Sequence, residues 1–239
     1  MKPTDYVLLI AVLLLGACAT VPRLQSVASH IPCIGAIGED RSALFKKEFV
    51  KVGEPILTVP IGVTLNSYAF DKASYTKYAK YAQKLGKKPM VAYNDTIRPG
   101  PRYYTLKISD LVSLRSQLNH EQNGNLLTYM ATDKDLRILN EISFVVAADV
   151  QEVMVAARHY DISGSKQGLV LEAHGPMGRY TLGMAELQVF DFGTAGICWT
   201  KNRFGTHQIA AFLTDGRSCP GDTERDPQKL NEINAYLKF

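Results

Sequence analysis

The feature that most constrains this chain is a succession of short apolar runs in its second half, joined by links too short to hold a crossover. The runs are "EISFVVAA" (141–148), "EVMVAARHYDI" (152–162), "GLVLEAH" (168–174), "YTLGMAELQVFDF" (180–192), "TAGICWT" (194–200) and "HQIAAFL" (207–213). The links, among them "SGSKQ", "GPMG" and "KNRFG", carry the residues that favour turns. Each run reads as a strand. A parallel pair needs a connection of roughly a dozen residues or more, so consecutive strands here must pair antiparallel. The expected fold is mainly β (α+β): an antiparallel β-sandwich or a partly open barrel over a single domain, residues 41–239. In "TLGMAELQVF" the alternation changes phase between Met184 and Leu187, as a β-bulge would make it.

The first half mixes periods. "EFVKVGEPILTVPIGVTL" reads as strand broken at Pro55 and Pro60, because proline cannot donate to a ladder. In "DKASYTKYAKYAQKLG" (71–86), Tyr75, Tyr78, Ala82 and Leu85 recur at helical spacing. Lys77, Lys80 and Lys84 line another face, so this inserted amphipathic helix offers a surface for anionic groups or a solvated flank. "PMVAY" (89–93) and "YYTLKIS" (103–109) read as strands. A helix then starts from a Ser109 or Asp110 cap with Leu111, Leu114 and Leu118 on one face, and a shorter one covers Leu126 to Met130. A C-terminal helix is marked by Asp226 as cap, Pro227 at the first position, and Leu230, Ile233 and Leu237 as buried stripe.

The amino terminus is built differently. An apolar run from Tyr6 to Leu15 is half the roughly 20 residues a membrane-spanning helix needs. Its basic start, short apolar stretch and small residues have the layout of an export signal, residues 1–17. The sequence Leu15-Gly16-Ala17-Cys18 resembles the lipobox of bacterial lipoproteins. That resemblance implies cleavage before Cys18 and a diacylglycerol thioether on its sulfur, with acylation of the new terminus. Each buried methylene contributes about 0.8 kcal/mol, so two or three chains anchor a soluble domain firmly. Ala19 stands where an aspartate would retain such a protein in the inner membrane, which implies the outer membrane, facing the periplasm or the cell surface. Residues 18–40 would be the tether, ending in a first strand near Ile34 to Ile37.

Composition narrows the remaining roles. The formal charge of +4 is mild, and no nucleic-acid motif accompanies it, so no nucleic-acid partner is expected. Nucleotide loops, HExxH helices, G-x-S-x-G elbows and CxxC pairs are missing from the sequence, and no cofactor is implied. With Cys18 lipidated, Cys33, Cys198 and Cys219 remain for an oxidising compartment. Cys198 with Cys219 is the favoured disulfide, and Cys33 with Cys219 the alternative. Cys198 beside Trp199, with His207 across a hairpin, is a lesser candidate for a thiol nucleophile. No catalytic or metal residue is assigned. The weak metal candidates are His159, His174 and His207 at strand ends, with Asp161 on the same strand face as His159.

These readings converge on a lipid-anchored envelope protein that acts by binding other envelope proteins, as an accessory or structural subunit of an outer-membrane assembly such as a secretion system. Two alternatives stand beside it. One is an envelope-polymer hydrolase, which requires the three histidines to converge; the other is a small-ligand or glycan carrier, which requires a large apolar cavity.

Overall fold

A ten-stranded sheet, antiparallel at every pairing, organises the chain. The computed structural model describes residues 33–43, 47–94, 96, 99–214 and 216–231. Its strands are β1 (Ile37–Asp40), β2 (Phe49–Gly53), β3 (Ile61–Ala69), β4 (Arg102–Ile108), β5 (Leu136–Val145), β6 (His159–Ser165), β7 (Gly168–Gly175), β8 (Gly178–Gly183), β9 (Gln188–Lys201) and β10 (His207–Leu213). Helices α1 (Lys72–Lys84), α2 (Leu111–Leu118), α3 (Gly124–Met130) and α4 (Ala148–Ala156) are set between them.

The strand order is β10-β9-β5-β4-β3-β6-β7-β8, with β1 and β2 added beside β5. In a flat sheet β8 and β9, six positions apart in that order, would lie about 29 Å from each other at the usual strand spacing. Only Met184 to Leu187 join them, and the five peptide steps from Gly183 to Gln188 reach at most about 18 Å. The sheet must therefore curl, and it does so without closing: a partly open barrel. The phase change at Met184 to Leu187 is a corner rather than a bulge. A 3₁₀ turn over Met184–Glu186 ends β8, and the chain then crosses to the other side of the opening.

Alternation along the strands fills the inside of the curl. Ile61, Ile162, Leu171 and Leu182 stand at paired positions on β3, β6, β7 and β8 and are fully buried. Leu106, Ile142 and Phe144 continue this layer, with Tyr104 stacked on Phe144 at 6.0 Å between ring centroids. Gly38 marks how closely β1 packs: a Cβ there would sit 2.2 Å from the Val50 carbonyl oxygen, so only glycine lets β1 and β2 pair.

A second, aromatic cluster occupies the outer face. Phe70, Tyr78, Val145 and Phe190 are buried together, and Tyr75, Tyr93 and Tyr103 pack around them. These come from α1, from the residues on either side of it and from the strands beneath it. Asp71 starts α1 with a reciprocal cap, its carboxylate accepting from the Ser74 amide at 2.7 Å. Polar side chains then secure irregular backbone elsewhere. Asn119 exchanges two hydrogen bonds of 2.8 Å with Ile209 of β10, and Arg115 donates to the Ala210 carbonyl at 2.9 Å. That outer edge of the sheet is thereby blunted against further pairing.

Three expectations require correction, besides the reading of "VFDF" and "TAGICWT" as two strands, which β9 joins into one from Gln188 to Lys201. "EVMVAA" is the second half of α4 rather than a strand; Val150 and Met154, four apart, face the core. "PMVAY" forms no ladder: the Met90 amide donates to the Tyr78 hydroxyl at 2.6 Å, and the Tyr75 hydroxyl donates to the Val91 carbonyl at 3.1 Å. Side chains of α1 thus take the place of a neighbouring strand. The third concerns the tether: Cys33, Ile34, Ala36 and Ile37 are buried in the main core, so residues from Cys33 onward belong to the domain. At the C-terminal helix Asp226 accepts from the Gln228 amide at 3.1 Å and Leu230 is buried, but Pro227 and Gln228 form a turn and the helical backbone starts at Lys229, two residues later than read. Ile233 and Leu237 lie outside the described residues, as does the whole segment 1–32 with Cys18.

Candidate functional site

The lysine flank of α1 divides in two. Lys77 donates to Asp191 of β9, whose other carboxylate oxygen accepts from Lys47 at 2.7 Å. Burial raises the Asp191 carboxyl, but the hydrogen bonds and charge of the two lysines outweigh it and hold the group below the usual carboxylate range. Lys77 is consequently a strut between helix and sheet. Lys80 and Lys84, four residues apart and exposed, engage nothing among the described residues. They are the part of the flank available to an outside partner. Beneath them Tyr78 donates to the Gln188 side-chain carbonyl, and Gln188 in turn donates to the Lys88 carbonyl at 2.9 Å. This buried network fixes where the helix and its following segment sit.

The histidines do not converge as a trio. His207 lies on β10, at the far end of the strand order from β7, and its Nε2 is 3.1 Å from the Pro227 carbonyl oxygen. His159 and His174 do meet: they are directly opposite on β6 and β7, with rings 5.7 Å apart. Asp161 lies between them, its Oδ1 2.9 Å from His159 Nε2 and its Oδ2 3.2 Å from His174 Nε2. Glu172, opposite Asp161, brings a second carboxylate 3.8 Å from His174 Nε2, and Arg179 on β8 lies 3.6 Å from Glu172. Glu172 and Arg179 were missed by sequence reasoning. The alternation of "LEAH" places Glu172 on the polar face with His174, which was the available signal.

The cysteines settle into distinct roles. Cys198 and Cys219 are joined in a disulfide, the first of the two pairings the sequence left open, and Cys33 is a free, buried thiol. Cys198 is therefore no thiol nucleophile. Burial, and then the Glu54 carboxylate, push the Cys33 thiol up to about 12, so it too stays protonated and unreactive.

The interior of the curl is occupied by side chains: Leu106, Ile138, Ile142 and Phe144 are 0 % exposed within one continuous cluster. A cleft of about 110 Å³ lies between α4 and the β7–β8 hairpin, bounded by Val153, Ala156, Ala173, Met177 and Tyr180. Drug-sized ligands occupy sites of about 300 Å³ or more. That cleft is too small for one; more open clefts of about 630 Å³ beside Pro55, Leu57 and Gly164 and of about 410 Å³ among Lys134, Glu224 and Lys229 lie at the surface. Among the described residues no helix is long and apolar enough to cross a membrane. Comparison of the chain with protein-family models, with curated proteins and with solved structures finds no match in any of the three.

Proposed function

We propose that the mature protein is a lipid-anchored component of the bacterial cell envelope, held at the outer membrane through Cys18, and that it acts by binding. Its place is that of an accessory or structural subunit in an outer-membrane assembly such as a secretion system. The observation that carries this reading is Cys18 at the end of Leu15-Gly16-Ala17. The Cys198–Cys219 disulfide supports it, since such bonds persist in oxidising, exported compartments.

Geometry supports a direction for the binding face. Fifteen peptide steps separate Cys18 from Cys33, a contour of at most about 52 Å. The described chain enters beside Ile162 and Leu169, which a Cβ on Gly35 would touch, and Ile162 pairs with Ile61 at the start of β3. The helix α1 follows the other end of β3, eight residue steps or about 27 Å away. Lys80 and Lys84 are thus carried on the end remote from the tether, turned toward an acidic partner surface.

The test is co-purification from gently solubilised membranes. The wild-type protein should emerge in a complex, and Lys80→Gln with Lys84→Gln should weaken that complex while leaving the fold intact. Purification of the wild-type protein only as a monomer would contradict the reading.

A further inference from the structure

We propose that His159, His174 and Asp161 form a binding site for a divalent first-row transition-metal ion, with zinc as the representative ligand. The first argument is register. Residues directly opposite on antiparallel strands hold their Cβ atoms about 4.5–5.5 Å apart, so two imidazoles on one face can both reach a metal at about 2.1 Å. His159 and His174 occupy such a pair.

The second argument is the donor set. Asp161 follows His159 by two residues on the same face, and its carboxylate already contacts both imidazole Nε2 atoms, at 2.9 and 3.2 Å. Ligands on one metal with bonds near 2.1 Å lie about 3.0–3.4 Å from each other. The two separations are near that range but run to different oxygens of the carboxylate, so a side chain must still turn for all three to share one ion. Two imidazoles with one carboxylate suit zinc and its neighbours and disfavour calcium and magnesium, which take oxygen ligands.

The third argument is that no fixed cation stands beside Asp161. Asp161 is 9 % exposed, and no lysine or arginine makes an ion pair with it among the described residues. His174 Nε2 is buried and has no well-aligned hydrogen-bond partner. Glu172 is different, because Arg179 stands beside it. That pair serves as the flank of the site, holding a second carboxylate 3.8 Å from His174 Nε2.

Among the described residues no three His, Cys, Asp or Glu side chains are placed so as to hold a metal ion as they stand, so loading requires a rotation. His159, 63 % exposed at its side chain, is the arm that turns, while His174 and Asp161 stay in place. The site needs no opening of the core.

The test is a calorimetric titration of the full, untagged protein in detergent with Zn²⁺ alone. One equivalent should bind. His159→Ala, at an exposed position that the core does not depend on, should weaken binding by more than the roughly 10- to 100-fold typical of losing an outer-shell partner. His174→Ala and Asp161→Asn, each checked for a wild-type circular dichroism spectrum, should do the same. His207→Ala should bind as the wild type does, and Ca²⁺ should give no heat. Absence of saturable Zn²⁺ binding, or wild-type affinity in His159→Ala, would overturn the assignment.

Discussion

Asp191 shows how a single side chain joins elements far apart in sequence. It accepts from Lys47 and Lys77, which approach from the segment before β2 and from α1. Its folded pKa lies below the ordinary value of 3.8, so the stabilisation is present above that value and is lost as pH falls through the folded pKa. The lysines are nearly half exposed, and the contribution is about 1 kcal/mol at most. Acid titration followed by circular dichroism should show a loss of stability below pH 3.8, and Asp191→Asn should remove the part of it that this carboxylate contributes. An unchanged acid profile in that variant would mean the two lysines do not depend on the carboxylate. The sequence singled out Lys77, Lys80 and Lys84 as one set, because they share a helical face. It held no sign of Asp191, more than 100 residues away, and hence no sign that Lys77 is already engaged.

Phe70 does the corresponding work at the level of elements, tying α1 to the sheet. Its ring is 4.9–5.9 Å from those of Tyr75, Tyr78, Tyr103 and Phe190, which come from the helix and from two strands. Phe70→Ala should cost about 3–5 kcal/mol in chemical denaturation and should speed hydrogen exchange in α1 more than in β5. A loss under about 1 kcal/mol, the scale of a surface change, would show that the helix lies loosely on the sheet.

The elements that were legible were those with one clear period. Tyr75, Tyr78 and Ala82 marked α1, and the "SGSKQ" and "GPMG" links marked the meander of β6, β7 and β8. Short apolar runs misled in two places. "EVMVAA" satisfies either period, and its helical state follows from Val150 and Met154 sharing the buried face. "PMVAY" has strand composition, but its backbone is taken up by tyrosine hydroxyls that only the tertiary fold brings near. The His159–His174 meeting required register, and register is set by which residue of β6 lies opposite which residue of β7.

At the scale of the whole molecule, the antiparallel pairing and mainly β character were carried by link lengths, while the curl was carried by one junction. Four residues between β8 and β9 force the two sides of the sheet toward each other, and side chains from both then fill the space between them. A barrel filled in this way has no interior for a carrier's ligand and presents its chemistry on the outside. One flank shows the free lysines of α1, and another shows the histidine pair of β6 and β7. The function proposed above places the tether near the amino terminus and recognition at the far end. The tether itself rests on Cys18, and the intact mass of the wild-type protein extracted from membranes tests it most directly. The expected chain begins at Cys18 and carries a diacylglyceryl group with a further acyl chain; an unmodified Cys18, or a mature terminus elsewhere, would rule out the lipid anchor.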